Sequence, residues 1–275
     1  MLRSGSVSQS ASRSLGPVGL LIFNLLYWPY LVLSCAVLFV PALLLYLVTF
    51  WQRPRRWLHV YTSYWALHYL AWAPFASVRV EGRARALTQG PCVYVVNHQS
   101  MVDILAVFAV RLPFLWVSKR ENFYAPFLGW NMWMNGYVAL RRRHLPSIRR
   151  MLRTCEARLV EGSSLCVFPE GTRSDDGNLR PFYRGAFWIA VRNRVPIVPI
   201  VVEGTGLILP KRRFGIRPQA ALVRILEPIA PEEAGNDDRK LRELVFARMQ
   251  GELDAIRAKV DRASEPQAPA LKRTA

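Results

Sequence analysis

Residues 92–103 read Cys92-Val-Tyr-Val-Val-Asn97-His98-Gln-Ser100-Met-Val-Asp103, an apolar run that ends in a polar Asn-His pair. The run from 92 to 96 is rich in β-branched and aromatic residues, which predicts a buried strand. Ser100 is followed by Asp103 and then by a second apolar run, which predicts a helix start with Ser100 as its N-cap. His98 is therefore expected on the loop after a strand, where open α/β sheets place their binding crevices.

This loop would bring His98 and Asp103 within reach of each other. On one continuous helix, residues five apart point roughly 140° away from each other, whereas a loop followed by a first helical turn lets the side chains meet. An imidazole can take a proton from a hydroxyl at neutral pH, and a carboxylate on its other ring nitrogen fixes the tautomer. Two interpretations stay open from this stretch alone. It is either a general base with its orienting partner, or a partly exposed loop histidine beside an aspartate that only caps a helix.

Length and charge narrow the class of protein. The 275 residues can form one large α/β domain and an appendage. The net charge of +18 predicts an anionic partner, either nucleic acid or a membrane surface. Residues 18–50 contain no charged side chain and favour the membrane. Nucleic acid is not expected, because the arginines are scattered and the sequence has no recognisable reader motif.

The apolar segment 18–50 is long for a single membrane span. A straight helix of this length would measure roughly 50 Å, which exceeds a bilayer core of about 30 Å but is too short for two full spans. Pro29 and Pro41 are expected to break it, so that it forms either one tilted, kinked span or a re-entrant helical hairpin. The arginines at positions 53, 55 and 56 then indicate a cytosolic exit.

Residues 57–75 carry six Trp and Tyr side chains and little charge. Aromatic residues at this density are typical of the headgroup interface, so an interfacial helix or a second shallow insertion is expected. The alternative is an ordinary buried helix.

From residue 76 onward, short apolar runs alternate with helical patterns, which predicts an α/β domain with a mostly parallel central sheet flanked by helices. The predicted strands are 78–81, 92–96, 114–118, 137–140, 165–168, 197–202 and 221–226. The predicted helices begin at Ser100 and cover 122–135, 146–160 and 237–260. The domain organisation is then a disordered tail at 1–16, membrane-anchoring helices at 17–75, the α/β domain at 76–260 and a second disordered tail at 261–275. The four cysteines have no metal-type spacing and are expected to be reduced core residues of a cytosolic domain.

Three further stretches end or form predicted strands. They are Gly136-Tyr-Val-Ala-Leu140-Arg141-Arg142-Arg143, Phe168-Pro-Glu-Gly-Thr-Arg-Ser174 and Val195-Pro-Ile-Val-Pro-Ile200. In the second, Glu170 offers an acceptor for hydroxyls, Gly171 allows close backbone approach, and Arg173 offers a fork for phosphate. Taken singly, each stretch has an ordinary alternative. The first is compatible with a solvated basic run, the second with a surface loop that contains an internal ion pair, and the third with a plain core strand.

Together with Asn97-His98-x-x-x-x-Asp103, these stretches resemble the four sequence blocks of the glycerolipid acyltransferase family, in order and approximate spacing over residues 75–230. The likeness is to bacterial members that acylate 1-acylglycerol-3-phosphate. The resemblance implies a general base at His98, oriented by Asp103, and direct attack of a lysolipid hydroxyl on an acyl thioester. It also implies a set of acceptor-binding residues, namely Arg142, Glu170, Gly171, Thr172 and Arg173. No metal, cofactor or acyl-enzyme intermediate is implied.

The resemblance also implies partners and a location. The acceptor would be lysophosphatidic acid, the donor an acyl-carrier-protein or coenzyme A thioester, and the surroundings anionic lipids of the bacterial inner membrane, with the catalytic domain facing the cytoplasm. The second block departs from the family pattern at Ala139 and Arg141, which leaves open which of the three arginines grips phosphate. Another lysolipid acceptor, such as lyso-ornithine lipid or a lysophospholipid, is therefore one alternative. A non-catalytic, basic membrane-binding module is the alternative from a different class.

Overall fold

The computed structural model describes residues 16–72, 76–86, 89–212 and 215–264. The predicted disordered tails lie almost wholly outside these residues. The division of the chain into tails, anchoring helices and an α/β domain stays a prediction. The helices are α1 (Pro17–Thr49), α2 (Arg56–Ala71), α3 (Val102–Phe108), α4 (Leu128–Met134), α5 (Leu145–Val160), α6 (Gly185–Asn193), α7 (Thr205–Ile208) and α8 (Asp238–Ser264).

A seven-stranded sheet forms the centre of the molecule, in the order β1-β7-β6-β2-β5-β3-β4. The strands are β1 (Ala76–Glu81), β2 (Val93–Val96), β3 (Leu115–Lys119), β4 (Val138–Leu140), β5 (Leu165–Val167), β6 (Ile197–Glu203) and β7 (Gln219–Ile225). Strands β2 to β6 run in one direction, and the β6–β7 pair is antiparallel. Strand β1 runs parallel to β7. The predicted α/β class with a mostly parallel sheet is therefore confirmed.

Strand β2 lies at the middle of the sheet, between β5 and β6. All four of its residues are buried, because an unbroken β-branched and aromatic run is suited to a strand that is covered on both faces. The helices that cover the sheet pack in two groups: α5, α6 and α8 in one, and α1 to α4 with α7 in the other. This arrangement fixes the carboxyl end of β2, and the loop that follows it, at the centre of one sheet edge.

Helix α1 corrects the expectation that prolines interrupt the apolar segment. It is continuous from residue 17 to 49 and contains both Pro29 and Pro41, so the re-entrant hairpin is wrong. Each proline removes a single backbone donor, whereas breaking the helix in apolar surroundings would leave several backbone groups without partners. The helix is also fastened to the rest of the molecule by Asn24, which accepts from the N–H of Ile216 at 2.8 Å and donates to its carbonyl at 3.3 Å.

Helix α2 combines the two interpretations of its aromatic segment. One face is buried and carries Leu58, His59, Trp65 and Tyr69, as in an ordinary packed helix. The opposite face leaves Trp57, Tyr64 and Trp72 exposed, as expected of an interfacial helix. His59 belongs to the core, where its Nε2 lies 3.0 Å from the carbonyl oxygen of Leu112.

Other elements differ from the sequence prediction. The segment 122–135 is not one helix, since a 3-10 turn at Arg120–Tyr124 is separated from α4 by Pro126. Ala125 is extended, with ψ 124°, because the residue before a proline is disfavoured in the α region. Helices α6 and α7 were not predicted, and α8 continues to Ser264, past the predicted end at 260. The four cysteines are free and buried, as expected.

Candidate active site

The end of β2 is locked to its neighbour by Asn97. The side-chain amide of Asn97 donates to the carbonyl of Val202 at 2.8 Å, and its oxygen accepts from the N–H of Val202 at 2.7 Å. Asn97 therefore continues the ladder between β2 and β6 with its side chain, which leaves its own backbone free to turn. The next residue, His98, is held at a defined position above the sheet edge.

His98 and Asp103 are in contact, with 2.7 Å between Nδ1 and Oδ2. The Asp103 carboxylate is fully buried, and its Oδ2 also accepts from the N–H groups of Gln99 at 2.6 Å and Ser100 at 2.8 Å. The hydroxyl of Thr205 donates to Oδ1. A carboxylate so surrounded by donors accepts the Nδ1 proton, so that Nε2 of His98 is left as the basic nitrogen.

The helix start explains how the two side chains meet. The N-cap residue of α3 is Met101, so the predicted N-cap at Ser100 is one residue too early. Ser100 Oγ accepts from the N–H of Val102 at 3.2 Å, and the Asp103 carboxylate accepts from the N–H of Ser100 at 2.8 Å. The S-x-x-D spacing thus both begins α3 and folds the Asp103 carboxylate back toward His98. Ser100 Oγ also donates to the carbonyl of Leu209 at 2.7 Å, which fixes this turn to the segment after α7.

The orientation of the His98 imidazole is fixed by aromatic stacking. The ring stacks on Phe168 with ring centroids 4.0 Å apart and 16° between the planes. Phe168 stacks in turn on Trp116, at 5.1 Å. With Asp103 at its edge and Phe168 at its face, the side chain of His98 is 12% exposed. These contacts fix the direction in which Nε2 can accept a proton.

Glu170 braces the loop beside His98. It is buried, its Oε1 accepts from the N–H of His98 at 2.8 Å, and its Oε2 accepts from the N–H of Arg180 at 3.0 Å. Burial raises the pKa of Glu170 to about 7, the two backbone hydrogen bonds oppose that shift, and the nearby Asp103 carboxylate adds to it. Each carboxylate oxygen thus has one backbone partner and can accept a further hydrogen bond, so Glu170 shapes the loop, and its predicted role in binding the acceptor stays a prediction. The carbonyl of His98 closes the same loop by accepting from the N–H of Ser174 at 2.7 Å.

Gly171 is required by its surroundings. Its φ is 66°, and an added Cβ would lie 2.7 Å from Cε2 of Tyr183. Thr172 and Arg173 follow it and are half-buried. Lys211 holds the backbone here, since its Nζ donates to the carbonyl of Arg173 at 2.8 Å.

Arg142 lies farther from His98 than the other predicted site residues. It follows β4, which is three strands away from β2 in the sheet order, and neighbouring strands are about 4.8 Å apart, so the separation is roughly 14 Å. Its side chain is exposed, like those of Arg141 and Arg143. The structure therefore brings together His98, Asp103, Glu170, Gly171, Thr172 and Arg173. Arg142 lies at the carboxyl end of the outermost strand, on the same side of the sheet as these residues.

Several residues that support the site were not singled out from the sequence. Gln99 donates to Glu203 at 2.8 Å and to the carbonyl of Gly177 at 3.2 Å. Arg257 of α8 donates to the same carbonyl at 2.7 Å and pairs with Glu203 at 3.2 Å. Thr205 and Lys211 likewise support the site, through Asp103 and the backbone of Arg173. They contact residues far away in sequence, and no local pattern indicates them. Within the described residues, no group of three or more His, Cys, Asp or Glu side chains could hold a metal ion.

Known proteins are similar to this chain in sequence and in fold. A family model described as "Acyltransferase" matches residues 77–203, which include all four sequence blocks. The 1-acyl-sn-glycerol-3-phosphate acyltransferase of Chlamydomonas reinhardtii is 36% identical over 177 residues, 64% of this chain and 53% of that protein. The alpha form of the mouse enzyme of the same name, from Mus musculus, is 37% identical over 166 residues, 58% of each chain. This chain spans about half the length of the curated relatives it matches.

A solved structure is similar over most of the chain. The crystal structure of the 1-acyl-sn-glycerophosphate (LPA) acyltransferase PlsC from Thermotoga maritima has a TM-score of 0.73 and 27% sequence identity, and the match covers 87% of this chain and 98% of that one. The similarity therefore includes the α/β sheet and the helices around it. Residues 77–203 thus match the model of the acyltransferase family, and the chain is similar in sequence and fold to 1-acyl-sn-glycerol-3-phosphate acyltransferases.

Proposed function

We propose that this chain transfers a fatty acyl group from an acyl-carrier-protein or coenzyme A thioester to the free sn-2 hydroxyl of 1-acylglycerol-3-phosphate, giving phosphatidic acid. The observation that carries the proposal is the 2.7 Å contact between His98 and Asp103 at the end of the central strand, beside the loop of Glu170 to Arg173. The names of the similar proteins support the choice of substrate.

In this mechanism, His98 acts as the general base. Its Nδ1–H stays bonded to Asp103 while Nε2 takes the proton of the sn-2 hydroxyl. The hydroxyl oxygen attacks the thioester carbonyl carbon, and the tetrahedral intermediate collapses with cleavage of the C–S bond. The imidazolium returns its proton to the leaving thiolate. The acyl group passes directly between substrates, and the four cysteines, which are all buried, take no part.

We assign the acceptor phosphate first to Arg173. Only one glycerol carbon separates the sn-2 hydroxyl carbon from the phosphate ester oxygen, so the phosphate must bind close to His98. Arg173 lies on the loop that contacts His98, and in the part of the chain that the structure describes its guanidinium has no hydrogen bond or ion pair. Arg142 is then a second ligand that reaches the phosphate from the outer strand. A guanidinium suits this task, because its planar donors match two phosphate oxygens.

Membrane attachment is proposed through α1 and the exposed face of α2. Helix α1 is the single helix, among the described residues, that is long and apolar enough to span a bilayer, and 11% of its most apolar window is buried. It is packed along the domain by Asn24 near one end and by Tyr46, whose ring lies 6.2 Å from that of Trp133, near the other. Its outward face of Leu and Val is therefore available to lipid. We place the protein at the bacterial inner membrane with the catalytic edge on the cytoplasmic side, where the basic surface would meet anionic lipids.

A panel of lysolipid acceptors, each assayed with both thioester donors, tests the substrate assignment. Lysophosphatidic acid is expected to be acylated fastest. Preferential acylation of a phosphate-free acceptor, such as lyso-ornithine lipid, would show that the chemistry is right and the acceptor wrong.

The variant His98→Ala tests whether the chain is an enzyme at all. Turnover is expected to fall by at least about a thousandfold while membrane association is kept, because only the base is removed. Turnover in the variant equal to that of the parent would show that His98 is not the base. Absence of turnover in both proteins, with equal membrane association, would leave the non-catalytic membrane-binding module as the explanation.

A further inference from the structure

A basic cavity lies at the opposite edge of the sheet from His98. It has a volume of about 200 Å³ and is lined by Arg53, Arg55, Trp133, Gly136 and Arg158, among others. A second cavity, of about 20 Å³, shares Arg53, Arg55, Gly136 and Arg158 with the first and is also lined by Asn135. It reaches Leu115 and Ser163, at the amino ends of β3 and β5. Because a five-residue strand is roughly 16 Å long, a ligand in this cavity could not contact His98. The two cavities together form the basic cavity.

The charges around the basic cavity do not balance. Three guanidiniums line it, and the carboxylate among its lining residues is that of Glu161, which pairs with Arg158 at 2.7 Å. Burial lowers the pKa of Arg55, and the neighbouring charges of Arg53 and Arg158 act in the same direction. Arginines held this close to one another repel, and an anion between them would relieve the repulsion.

Two residues that line the smaller cavity, Asn135 and Arg158, each have a buried atom without a partner among the described residues. Asn135 is 2% exposed, and among the described residues its Oδ1 has no hydrogen bond. Its Nδ2 is already committed to acceptors, including the carbonyl of Asn131 at 2.8 Å, so the orientation of the amide is fixed. The Nε of Arg158 is likewise buried and, within the same residues, unpartnered. A fitting ligand therefore offers acceptor oxygens to the guanidiniums and a hydroxyl donor to Asn135.

The position of the cavity indicates the source of such a ligand. The guanidinium of Arg55 lies 4.9 Å from the ring centroid of Tyr46, in the last turns of the lipid-facing helix α1. Trp133 lines the cavity, and Trp51 and Trp57 lie two residues from Arg53 and Arg55 along the chain; the three side chains are about two-thirds exposed, at 65%, 64% and 64%. Exposed tryptophans beside clustered arginines are typical of the headgroup layer of a membrane.

We infer that the basic cavity binds the headgroup of an anionic phospholipid, with its phosphate on Arg53, Arg55 and Arg158 and a headgroup hydroxyl on Asn135. Such a site would fasten the amino edge of the sheet to the bilayer while the opposite edge carries out the proposed reaction. The inference does not depend on that reaction, since none of the four residues contacts the His98 loop.

Calorimetric titration of the detergent-solubilised full chain tests this site. The ligands are water-soluble dihexanoyl phosphatidylglycerol, dihexanoyl phosphatidylcholine and inorganic phosphate. Saturable binding is expected for phosphatidylglycerol, and at least about tenfold weaker binding for the double variant Arg53→Gln/Arg158→Gln, since each arginine near a lipid phosphate contributes about fivefold. The matched control is Arg149→Gln/Arg150→Gln, which removes two exposed charges from the same helix α5 and should bind within twofold of the parent.

Several outcomes would overturn the inference. Equal weakening in the two double variants would show a general effect of charge, and phosphate binding as tight as that of phosphatidylglycerol would identify a free-phosphate site. Should the double variant fail to fold, Arg53→Gln alone serves, because that side chain is exposed; unchanged binding in that variant would also refute the site. The variant His98→Ala should bind phosphatidylglycerol like the parent, which keeps this result separate from the acyl-transfer proposal.

Discussion

At the scale of single residues, the Asp103 carboxylate is held in place by four donors, three on Oδ2 and one on Oδ1. In Asp103→Asn, an amide nitrogen that cannot accept a proton would replace one of the two oxygens. We expect turnover to fall by roughly 10²- to 10⁴-fold, because the imidazole would lose its fixed tautomer. Steady-state kinetics with saturating donor measure the effect.

The matched control is Thr205→Val, which removes the donor to Oδ1 but leaves Oδ2 and His98 in contact. Its turnover should stay within about tenfold of the parent, because Oδ2 keeps the imidazole and both of its backbone donors. If both variants lost the same activity, Asp103 would act through the shape of the loop and not through the imidazole.

Glu170 makes stability depend on pH. Its pKa is raised from an ordinary value of 4.5 to about 7, so the folded protein retains a proton that the unfolded chain releases. The stabilisation from this proton is fully present below about pH 4.5 and is lost as pH rises through 7, by up to about 3 kcal/mol. Chemical unfolding of the parent and of Glu170→Gln at several pH values measures this. The variant should lack most of the decline, and identical pH profiles would contradict the assignment.

Gly171 combines a left-handed backbone with a close neighbour. We expect Gly171→Ala to lose most activity and about 2–4 kcal/mol of stability. The added methyl would clash with the Tyr183 ring, and alanine is disfavoured at the positive φ of this position. Gly162→Ala is the control, since its φ is 82° but nothing lies within 4 Å of the added Cβ. It should lose only about 1 kcal/mol. Thermal unfolding compares the two, and equal losses would show that Tyr183 yields easily.

At the scale of elements, α8 lies outside residues 77–203 yet touches the loop of the candidate site. Arg257 on this helix donates to Gly177 and Asn178 and pairs with Glu203, which in turn binds Gln99 beside His98. We therefore expect Arg257 to be a positioning residue for the loop that carries Arg173. The variant Arg257→Gln should raise KM for the acceptor by about tenfold and lower kcat much less, with partial rescue by Arg257→Lys.

The control for this prediction is Arg248→Gln on the same helix. Arg248 contacts Glu233 at 3.4 Å on the exposed surface, and such pairs contribute little. Its kinetic parameters should match those of the parent. A fall in kcat with unchanged KM in Arg257→Gln would indicate that α8 supports the base and not acceptor binding.

The elements also show what local sequence can predict. The central strands were predicted within one or two residues, because buried parallel strands are unbroken β-branched runs bounded by turn residues. The contact between His98 and Asp103 was predicted as well, since a loop followed by a first helical turn is indicated by a local pattern of residues. The continuity of α1 and the break at Pro126 were misjudged, because the same residue type is tolerated in an apolar helix and disruptive in a short amphipathic one.

The support of the site by Thr205, Lys211 and Arg257 could not be predicted in the same way. Each of these residues meets its partner only because β6, the segment after α7, and α8 converge on one sheet edge. The position of Arg142 at a distance from His98 likewise follows from strand order, since β4 is the last strand of the sheet. Strand order is a property of the tertiary fold, and the alternation of elements along the chain does not encode it directly.

At the scale of the whole molecule, the outward face of α1 predicts how the protein is held at a membrane. Leu25, Leu33 and Leu44 are more than half exposed on this face, at 64%, 69% and 59%. Replacing all three with Gln should move the protein to the soluble fraction in vesicle flotation, because burying apolar area in lipid supplies about 25 cal/mol per Å². The parent should stay bound in about 1 M salt, which screens charges beyond about 3 Å. Release of the parent by salt would instead indicate purely electrostatic attachment.

The link between Asn24 and the backbone of Ile216 has a practical consequence for anyone who wants this protein free of detergent. Removing α1 would strip the cover from Ile208, Leu209 and Ile216, and would leave the peptide groups that Asn24 satisfies open to water. A shortened chain would thus lose the exposed apolar face of α1 but expose the apolar residues that α1 covers, next to the helix start that carries Asp103. A better route to a water-soluble form that crystallises is to replace the exposed apolar residues on the outward face of α1 with polar residues and to keep Asn24 and Tyr27.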